Sequence, residues 1–215
     1  MKAVIFDMDG VIVDSEPLHR QLEIGLLEEL GGHITSQEYE KFIGTTDHFM
    51  WSTFKEQFDI SLSVEEMVDI KKERFLKNIH KLKLVDHFKE LLLNLYNKDY
   101  LLGLASSNNR KAVNRIVEEF NLGKYLHFLI SGEEVSKGKP DPEIFLIAAK
   151  KMGVHPSQCL VIEDATHGVR AAKAAGMKCI GFQNPNSGNQ DLSEAHLVVD
   201  SLKYITLQAV KQLFK

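Results

Sequence analysis

The chain has few cysteines and no long apolar run, and both shortages narrow the class of protein to which it belongs. Its 215 residues contain two cysteines, Cys159 and Cys179, each inside a short apolar stretch. Thiols in such stretches are typical of a reduced, buried core, so we predict neither a disulfide nor a catalytic cysteine. No run of about 18 apolar residues is present, which argues against a membrane-spanning helix.

A strong excess of one charge is also missing. The chain has 26 lysines and arginines against 30 aspartates and glutamates, and it contains no long basic run. Proteins that bind nucleic acid usually present a basic surface, so we expect no nucleic-acid partner. The first residues form a strand pattern and not a charged leader followed by an apolar region. We therefore expect a cytoplasmic protein without a membrane partner, and we take a monomer as the default.

What the sequence does contain is a regular alternation of short apolar runs and amphipathic segments. The runs predict strands at 2–8, 100–106, 128–132, 159–163, 178–182 and 197–200. Helical spacing predicts helices at 87–97, 110–120, 143–152, 166–175 and 204–214. Strands that alternate with helices in this way are typical of an α/β fold with a doubly wound, Rossmann-like parallel sheet.

Residues 15–81 interrupt this alternation. Their segments, such as "LHRQLEIGLLEEL" and "SVEEMVDIKKERFLKNI", are amphipathic at helical spacing and include no strand-like run. We predict an α-helical cap domain inserted into a core domain of residues 1–14 and 82–215. Within the cap, we expect four aromatic residues to pack in its core, namely Phe49, Trp51, Phe54 and Phe58.

Polar residues follow several of the predicted strands at the point where each strand ends. In an open parallel sheet, functional residues gather just beyond the carboxyl ends of the strands. The candidates in those positions and in one intervening turn are Asp7, Asp9, Ser106, Ser107, Asn108, Lys137, Lys139, Glu163 and Asp164. We therefore expect four carboxylates, a hydroxyl and one or two lysines to meet at one edge of the sheet.

A cluster of carboxylates needs a compensating cation. Two like charges about 4 Å apart repel each other by about 4 kcal/mol at an effective dielectric constant near 20. The potential ligands are oxygen atoms, and no cysteine or histidine adjoins them, which favours Mg²⁺. Because Mg²⁺ keeps positions for water and phosphate, we predict Mg²⁺ as the cofactor and a small phosphate ester as the partner.

The spacing of the first two aspartates indicates phosphoryl transfer. Attack by the Asp7 carboxylate on phosphorus would give an aspartyl-phosphate and divide one difficult step into two. Asp9, two residues later, could protonate the leaving oxygen and then activate water. The hydroxyl of Ser106 and the ammonium of Lys139 would face the phosphate oxygens.

Four motifs in order resemble those of a known family. They are "DMDGVIVDSEPLH", "LASSN", "GKPDPEIF" and "VIEDATHGVRAAKAAG". This set resembles the haloacid dehalogenase superfamily, in particular its phosphatases and β-phosphoglucomutases with a helical cap after the first strand. The resemblance covers essentially the whole chain. It implies that Asp7 is the nucleophile, that Asp9 is the acid/base and a metal ligand through its backbone carbonyl, and that Asp164 is the second metal carboxylate.

The same resemblance assigns roles to further residues. It implies phosphate binding by Ser106 and Lys139, with Ser107 and Asn108 as neighbouring candidates, and it makes Glu163 an outer or alternative metal ligand. His19 lies in "DSEPLH", where the family often presents residues to the substrate, so it is a further candidate. Dehalogenase members differ at the position of Asp9 and do not use Mg²⁺, so carbon–halogen cleavage is not expected.

Some of these residues could instead serve only local structure. Asp9 and Gly10 could form an ordinary turn, and Ser106 could cap the next helix. Glu163 and Asp164 could complement the dipole of the helix that begins near residue 166. Lys137 could take the place of Lys139, which we favour by resemblance alone.

Residues of the insert bear on the choice between phosphatase and mutase. By resemblance, the mutase has an arginine soon after a glycine to hold a distal phosphate, but "GTTDHFMW" has Asp47 there. An acid at this position would repel a second phosphate. Lys71, near the position of a mutase lysine, could partly compensate, together with Lys72 and Arg74. We predict a phosphatase for small phosphorylated metabolites, with β-phosphoglucomutase as the alternative.

A non-enzymatic function is an alternative of another class. Signalling receiver modules also combine a parallel sheet with an acid cluster, a phosphorylated aspartate, a hydroxyl and a lysine. They are about half as long, however, and their acid pair comes early in the chain, whereas Glu163 and Asp164 come late. An inactive scaffold with the same architecture also stays open at this point.

Overall fold

The computed structural model of the chain describes residues 2–215, which form two compact units. The sheet unit comprises the residues up to Asp14 together with Lys83–Lys215, and the helical unit is Ser15–Leu82. The predicted insert, 15–81, ends one residue before this division. Among the described residues, no helix is long and apolar enough to cross a membrane.

The helical unit contains α1 (Glu16–Glu29), α2 (Ser36–Tyr39), α3 (Asp47–Phe58) and α4 (Val64–Asn78). Trp51 and Phe54 are buried in its core, and their rings pack edge to face with centroids 5.7 Å apart. The prediction for Phe49 is wrong, because its side chain is 58% exposed. Two positions along a helix correspond to a rotation of about 200°, so residues 49 and 51 lie on nearly opposite faces of α3.

The sheet unit contains a parallel sheet that, in the described residues, has six strands in the order β3-β2-β1-β4-β5-β6. The strands are β1 (Ala3–Phe6), β2 (Leu101–Ala105), β3 (Phe128–Ile130), β4 (Cys159–Glu163), β5 (Lys178–Phe182) and β6 (Leu197–Val199). Strands β2 and β3 lie on one side of β1, and β4, β5 and β6, which come later in the chain, lie on the other side. The predicted α/β fold with a doubly wound parallel sheet is confirmed.

Five helices of the described residues flank this sheet or follow its last strand, and all lie close to their predicted positions. They are α5 (Phe88–Tyr96), α6 (Arg110–Glu119), α7 (Glu143–Met152), α8 (Thr166–Ala174) and α9 (Leu207–Gln212). The last is shorter than predicted, because the chain first makes a separate 3₁₀ turn at Leu202–Tyr204. Helices on a parallel sheet explain why every residue of β1 is fully buried.

The register of the sheet brings three strand ends to the same level. Phe6 pairs with Leu104 of β2 on one side and with Ile162 of β4 on the other. The residues that directly follow these three positions therefore lie side by side at the carboxyl edge of the sheet. The strand order reverses direction at β1, so the carboxyl end of β1 is the switch point of the sheet. Open α/β sheets bind their ligands at this point.

The two cysteines lie in the interior of the sheet unit. Cys159 and Cys179 are both buried and free. Burial raises the pKa of the Cys159 thiol to about 11, so this side chain is protonated and a poor nucleophile near neutral pH. The prediction that both thiols are buried is confirmed.

Candidate active site

Lys139 links two carboxylates at the carboxyl edge of the sheet. Its Nζ atom lies 2.5 Å from Oδ1 of Asp7, which follows β1, and 2.7 Å from Oε1 of Glu163, the last residue of β4. The three side chains are almost completely buried. Ion pairs in such surroundings are screened little by salt, so the arrangement fixes both carboxylates firmly.

A third carboxylate completes a group suited to a metal ion. Ligand atoms of Asp7, Glu163 and Asp164 all lie within 4.8 Å of one another, and the three residues are buried. All the donors are oxygen atoms, and when the three carboxyl groups are ionised they carry more negative charge than Lys139 alone can balance. Hard divalent cations such as Mg²⁺ favour this donor set, so the residues present fit the predicted cofactor.

The protonation of these groups reflects the same excess of negative charge. Burial raises the pKa of Asp7 to about 8, since repulsion from Glu163 and Asp9 offsets much of the attraction of Lys139. Burial, together with repulsion from Glu163 and Asp7, also raises the pKa of Asp164. Burial by itself would lower the pKa of Lys139, but attraction by Asp7 and Glu163 outweighs it and raises that pKa. A further cation at this position would relieve the repulsion.

The loop after β2 brings polar groups to Asp9. Nδ2 of Asn108 donates a hydrogen bond to Oδ2 of Asp9 at 2.7 Å, and the Oγ of Ser106 accepts one from the Asn108 N–H at 3.0 Å. The cap of α6 is Asn109, whose side chain accepts from the N–H of Ala112. Ser106 is therefore not the helix cap that local structure suggested.

Some of the predicted site residues lie at the buried carboxylate cluster, and others lie at the surface. Lys139 reaches the carboxylates, whereas the Lys137 side chain is 74% exposed and its nearest acid is Asp141 at 3.9 Å. Ser107 is exposed at the surface. Glu163 combines two contacts, because its second oxygen accepts a hydrogen bond from the N–H of Ala165 at the start of α8. The Glu163 side chain thus serves both the turn before α8 and the ion pair with Lys139.

Two further candidates lie in the helical unit. Nζ of Lys71 is 2.9 Å from Oε1 of Glu23 and 2.9 Å from Oδ1 of Asp47, and Lys71 is buried. His19 stacks on Phe75 with ring centroids 4.5 Å apart. The roles of His19 and Lys71 as phosphate contacts stay predictions.

Sequence reasoning missed a polar segment at the end of β5. Oγ of Ser187 donates a hydrogen bond to Oδ2 of Asp164, and Nδ2 of Asn184 donates to the carbonyl oxygen of Gly10 at 2.8 Å. The signal was present, because "QNPNSGNQD" directly follows the predicted strand 178–182. The rule that functional residues gather at the carboxyl ends of strands applies to this strand as well.

Comparisons with known proteins identify the family of the chain. The profile of the family described as haloacid dehalogenase-like hydrolase matches residues 4–182. The chain is 33% identical over 183 residues to the phosphorylated carbohydrates phosphatase of Thermotoga maritima, covering 84% of each protein. It is 31% identical over 227 residues to the β-phosphoglucomutase of Bacillus subtilis, covering 99% of this chain and 95% of that protein.

A comparison of structures gives the same family. The crystal structure of β-phosphoglucomutase from Clostridium difficile is similar with a TM-score of 0.81 and 26% sequence identity. The match covers 100% of this chain and 97% of that chain. The chain therefore belongs to the haloacid dehalogenase-like hydrolase family and is an enzyme of its phosphatase and phosphomutase kind.

Proposed function

We propose that the protein is a Mg²⁺-dependent phosphatase that hydrolyses small phosphorylated metabolites through an aspartyl-phosphate on Asp7. The observation that supports this most is the contact of 2.5 Å between Asp7 and Lys139 beside two further buried carboxylates. Relatives that include a phosphorylated carbohydrates phosphatase favour a sugar phosphate as the substrate.

The proposed metal ligands are the Asp7 and Asp164 carboxylates and the backbone carbonyl of Asp9. Glu163 is an outer or alternative ligand, since one of its oxygens already pairs with Lys139. The family generally uses Mg²⁺. When bound, Mg²⁺ neutralises charge on the carboxylates and on the phosphate oxygens.

In the first proposed step, an oxygen of Asp7 attacks phosphorus and the bond from phosphorus to the ester oxygen breaks. Asp9 gives its proton to that leaving oxygen, and the Asn108 amide holds the carboxyl group of Asp9 in place. Lys139 stays positively charged, because its acidic neighbours raise its pKa, and it stabilises negative charge as it develops.

In the second step, Asp9 takes a proton from a water molecule that attacks the phosphorus of the aspartyl-phosphate. The bond between Asp7 and phosphorus breaks, inorganic phosphate leaves, and the Asp7 carboxylate is restored. Asp9 ends the cycle protonated, as it began. The hydroxyl of Ser106 is proposed to donate a hydrogen bond to a phosphate oxygen in both steps.

A panel of phosphate esters, with sugar phosphates first, tests this function. We expect release of phosphate with Mg²⁺ and none above background with EDTA. Asp7→Asn should lower kcat by about 10⁴-fold or more, because it removes the nucleophile. Asp99→Asn changes an exposed aspartate of the sheet unit and should leave kcat unchanged. An Asp7→Asn variant as active as the wild type would refute the assignment of the nucleophile.

A phosphomutase is the second candidate, because the β-phosphoglucomutase of B. subtilis is similar over nearly the whole chain. The helical unit argues against it. Asp47 stands where the mutase is expected to have an arginine, and Lys71 is already paired with Asp47 and Glu23. Lys71 therefore has little remaining charge for a second phosphate group.

The two candidates differ in what they make from one substrate. With Mg²⁺, β-glucose 1-phosphate and a trace of the bisphosphate, a phosphatase releases inorganic phosphate. We expect this release to exceed the formation of glucose 6-phosphate. Glucose 6-phosphate accumulating much faster than phosphate would reverse the choice in favour of the mutase.

A further inference from the structure

The loop after β5, residues 183–191, contacts both sides of the candidate metal site. At one point the Ser187 hydroxyl donates a hydrogen bond to Oδ2 of Asp164. At another, the buried side chain of Asn184 donates to the carbonyl oxygen of Gly10, the residue after Asp9. The loop thereby connects the segment that follows β1 with the segment that follows β4.

The position of Gly10 shows how closely these groups approach. Gly10 has a φ of +77°, and a Cβ atom placed there would overlap the carboxylate of Asp164. The same atom would lie 2.9 Å from Oγ of Ser187. Gly10, Asp164 and Ser187 therefore meet at one place, and only the absence of a side chain at Gly10 lets the three groups approach so closely.

Other hydrogen bonds hold the loop in this position. The Ser187 N–H donates to the carbonyl oxygen of Asn184 at 3.2 Å, and its own carbonyl accepts from Nε2 of Gln190 at 3.0 Å. The oxygen of the Gln190 side chain accepts from the Thr166 N–H at the start of α8. Ser187 is thus fixed relative to the helix that follows Asp164.

We propose that Ser187 is a positioning residue for the metal site, whose hydroxyl holds one oxygen of Asp164 and so orients the carboxylate toward Mg²⁺. This inference rests on the metal-dependent function proposed above. Outer partners that hold a metal ligand in place typically contribute about 10- to 100-fold to metal affinity or activity. A hydroxyl that only stabilised the loop would not affect metal affinity selectively.

The test is the Mg²⁺ affinity of Ser187→Ala, measured by titration calorimetry in the absence of substrate. Ser193→Ala is a matched control, because Ser193 is a serine whose hydroxyl contacts Asp191 at the exposed end of the same region. We expect the Mg²⁺ dissociation constant to rise about tenfold or more in Ser187→Ala and to stay unchanged in Ser193→Ala. With saturating Mg²⁺, the KM for the phosphate ester should stay within about twofold.

The melting temperature in EDTA separates positioning from simple stabilisation. We expect Ser187→Ala to have a lower melting temperature than the wild type in EDTA, because it loses a buried hydrogen bond, and to show a larger loss in Mg²⁺. Equal Mg²⁺ affinity in Ser187→Ala and wild type, or an equal loss of melting temperature in EDTA and in Mg²⁺, would overturn the role of Ser187 alone. A wild-type protein that binds no Mg²⁺ would instead overturn the metal dependence of the proposed function.

Discussion

Lys139 and Lys71 have similar surroundings but belong to different units. Each is buried with its ammonium group between two carboxylates, Asp7 and Glu163 for Lys139, and Glu23 and Asp47 for Lys71. At Lys139, Asp164 adds a third carboxylate, so negative charge is in excess. At Lys71 only two carboxylates face the ammonium group, and the hydroxyl of Tyr39 donates a hydrogen bond to Glu23 at 2.5 Å, so the excess of negative charge is smaller. The first arrangement suits ligand binding, and the second suits a structural role.

Replacing Lys71 tests this structural role. Lys71→Met leaves the buried carboxylate of Glu23 without its cation, and breaking a buried pair in this way costs about 3–5 kcal/mol. We expect the free energy of unfolding, measured with urea, to fall by that order. Lys72→Met is the matched control, because Lys72 is half exposed and its nearest acid is Asp69 at 4.0 Å.

The same variant decides whether Lys71 also contacts phosphate. If Lys71 is only structural, the folded fraction of Lys71→Met should have a KM for the phosphate ester within about twofold of the wild-type value. A rise in KM of tenfold or more, with stability close to that of Lys72→Met, would contradict the structural role. It would instead support the phosphate contact predicted from the sequence.

At the scale of the elements, two helices contain a glycine inside their span for different reasons. Gly25 lies within α1, and a Cβ atom added there would meet no atom within 4 Å. Gly168 lies within α8, and a Cβ atom there would overlap the carboxylate of Glu163. The first glycine only weakens its helix, whereas the second makes room for a residue of the candidate site.

Alanine at these two positions should therefore have effects of opposite sign. Gly25→Ala should raise the free energy of unfolding by roughly 0.5–1 kcal/mol, because alanine loses less conformational freedom in a helix. Gly168→Ala should lower it and should also reduce kcat, because Glu163 must move away from Lys139. Urea unfolding and the ester assay measure both. A Gly168→Ala variant with wild-type stability and activity would show that the carboxylate can shift without consequence.

The elements with regular patterns could be predicted from the sequence. Parallel strands buried on both faces are short apolar runs, and all six strands described here fall where such runs predicted them. The residues at the ends of β1 and β4 could be predicted as well, because the register of a parallel sheet brings those ends to one edge. Periodicity and topology were sufficient for these features.

Features that depend on individual side-chain contacts could not be predicted in the same way. The loop after β5 has no periodic pattern, so its contacts with Gly10 and Asp164 followed only from the structure. Phe49 and Trp51 are equally apolar, and only the orientation of α3 places one of them outside the core. The pairing of Lys71 with Glu23 joins residues far apart in the chain that no local rule connects.

At the scale of the whole molecule, the net charge of −4 conceals a strong local imbalance. Acidic groups at the ends of β1 and β4 meet in the interior of the sheet unit, where the ammonium group of Lys139 pairs with two of them. Burial and mutual repulsion raise the pKa values of Asp7 and Asp164, so binding of protons by these groups relieves the repulsion. The stability of the fold is therefore linked both to pH and to Mg²⁺.

The sign of this linkage gives a last prediction. The pKa of Asp7 is raised from its ordinary value of 3.8 to about 8, so its proton stabilises the fold fully below pH 3.8 and progressively less up to about pH 8. In EDTA, we expect the melting temperature of the wild type to fall relative to that of Asp7→Asn between pH 5.5 and 8, by several degrees. Mg²⁺ favours the ionised carboxylates, so its stabilising effect should increase over the same range and should be much smaller in Asp7→Asn. A wild-type curve parallel to that of Asp7→Asn in EDTA would mean that Asp7 is already ionised throughout and that Lys139 alone balances its charge.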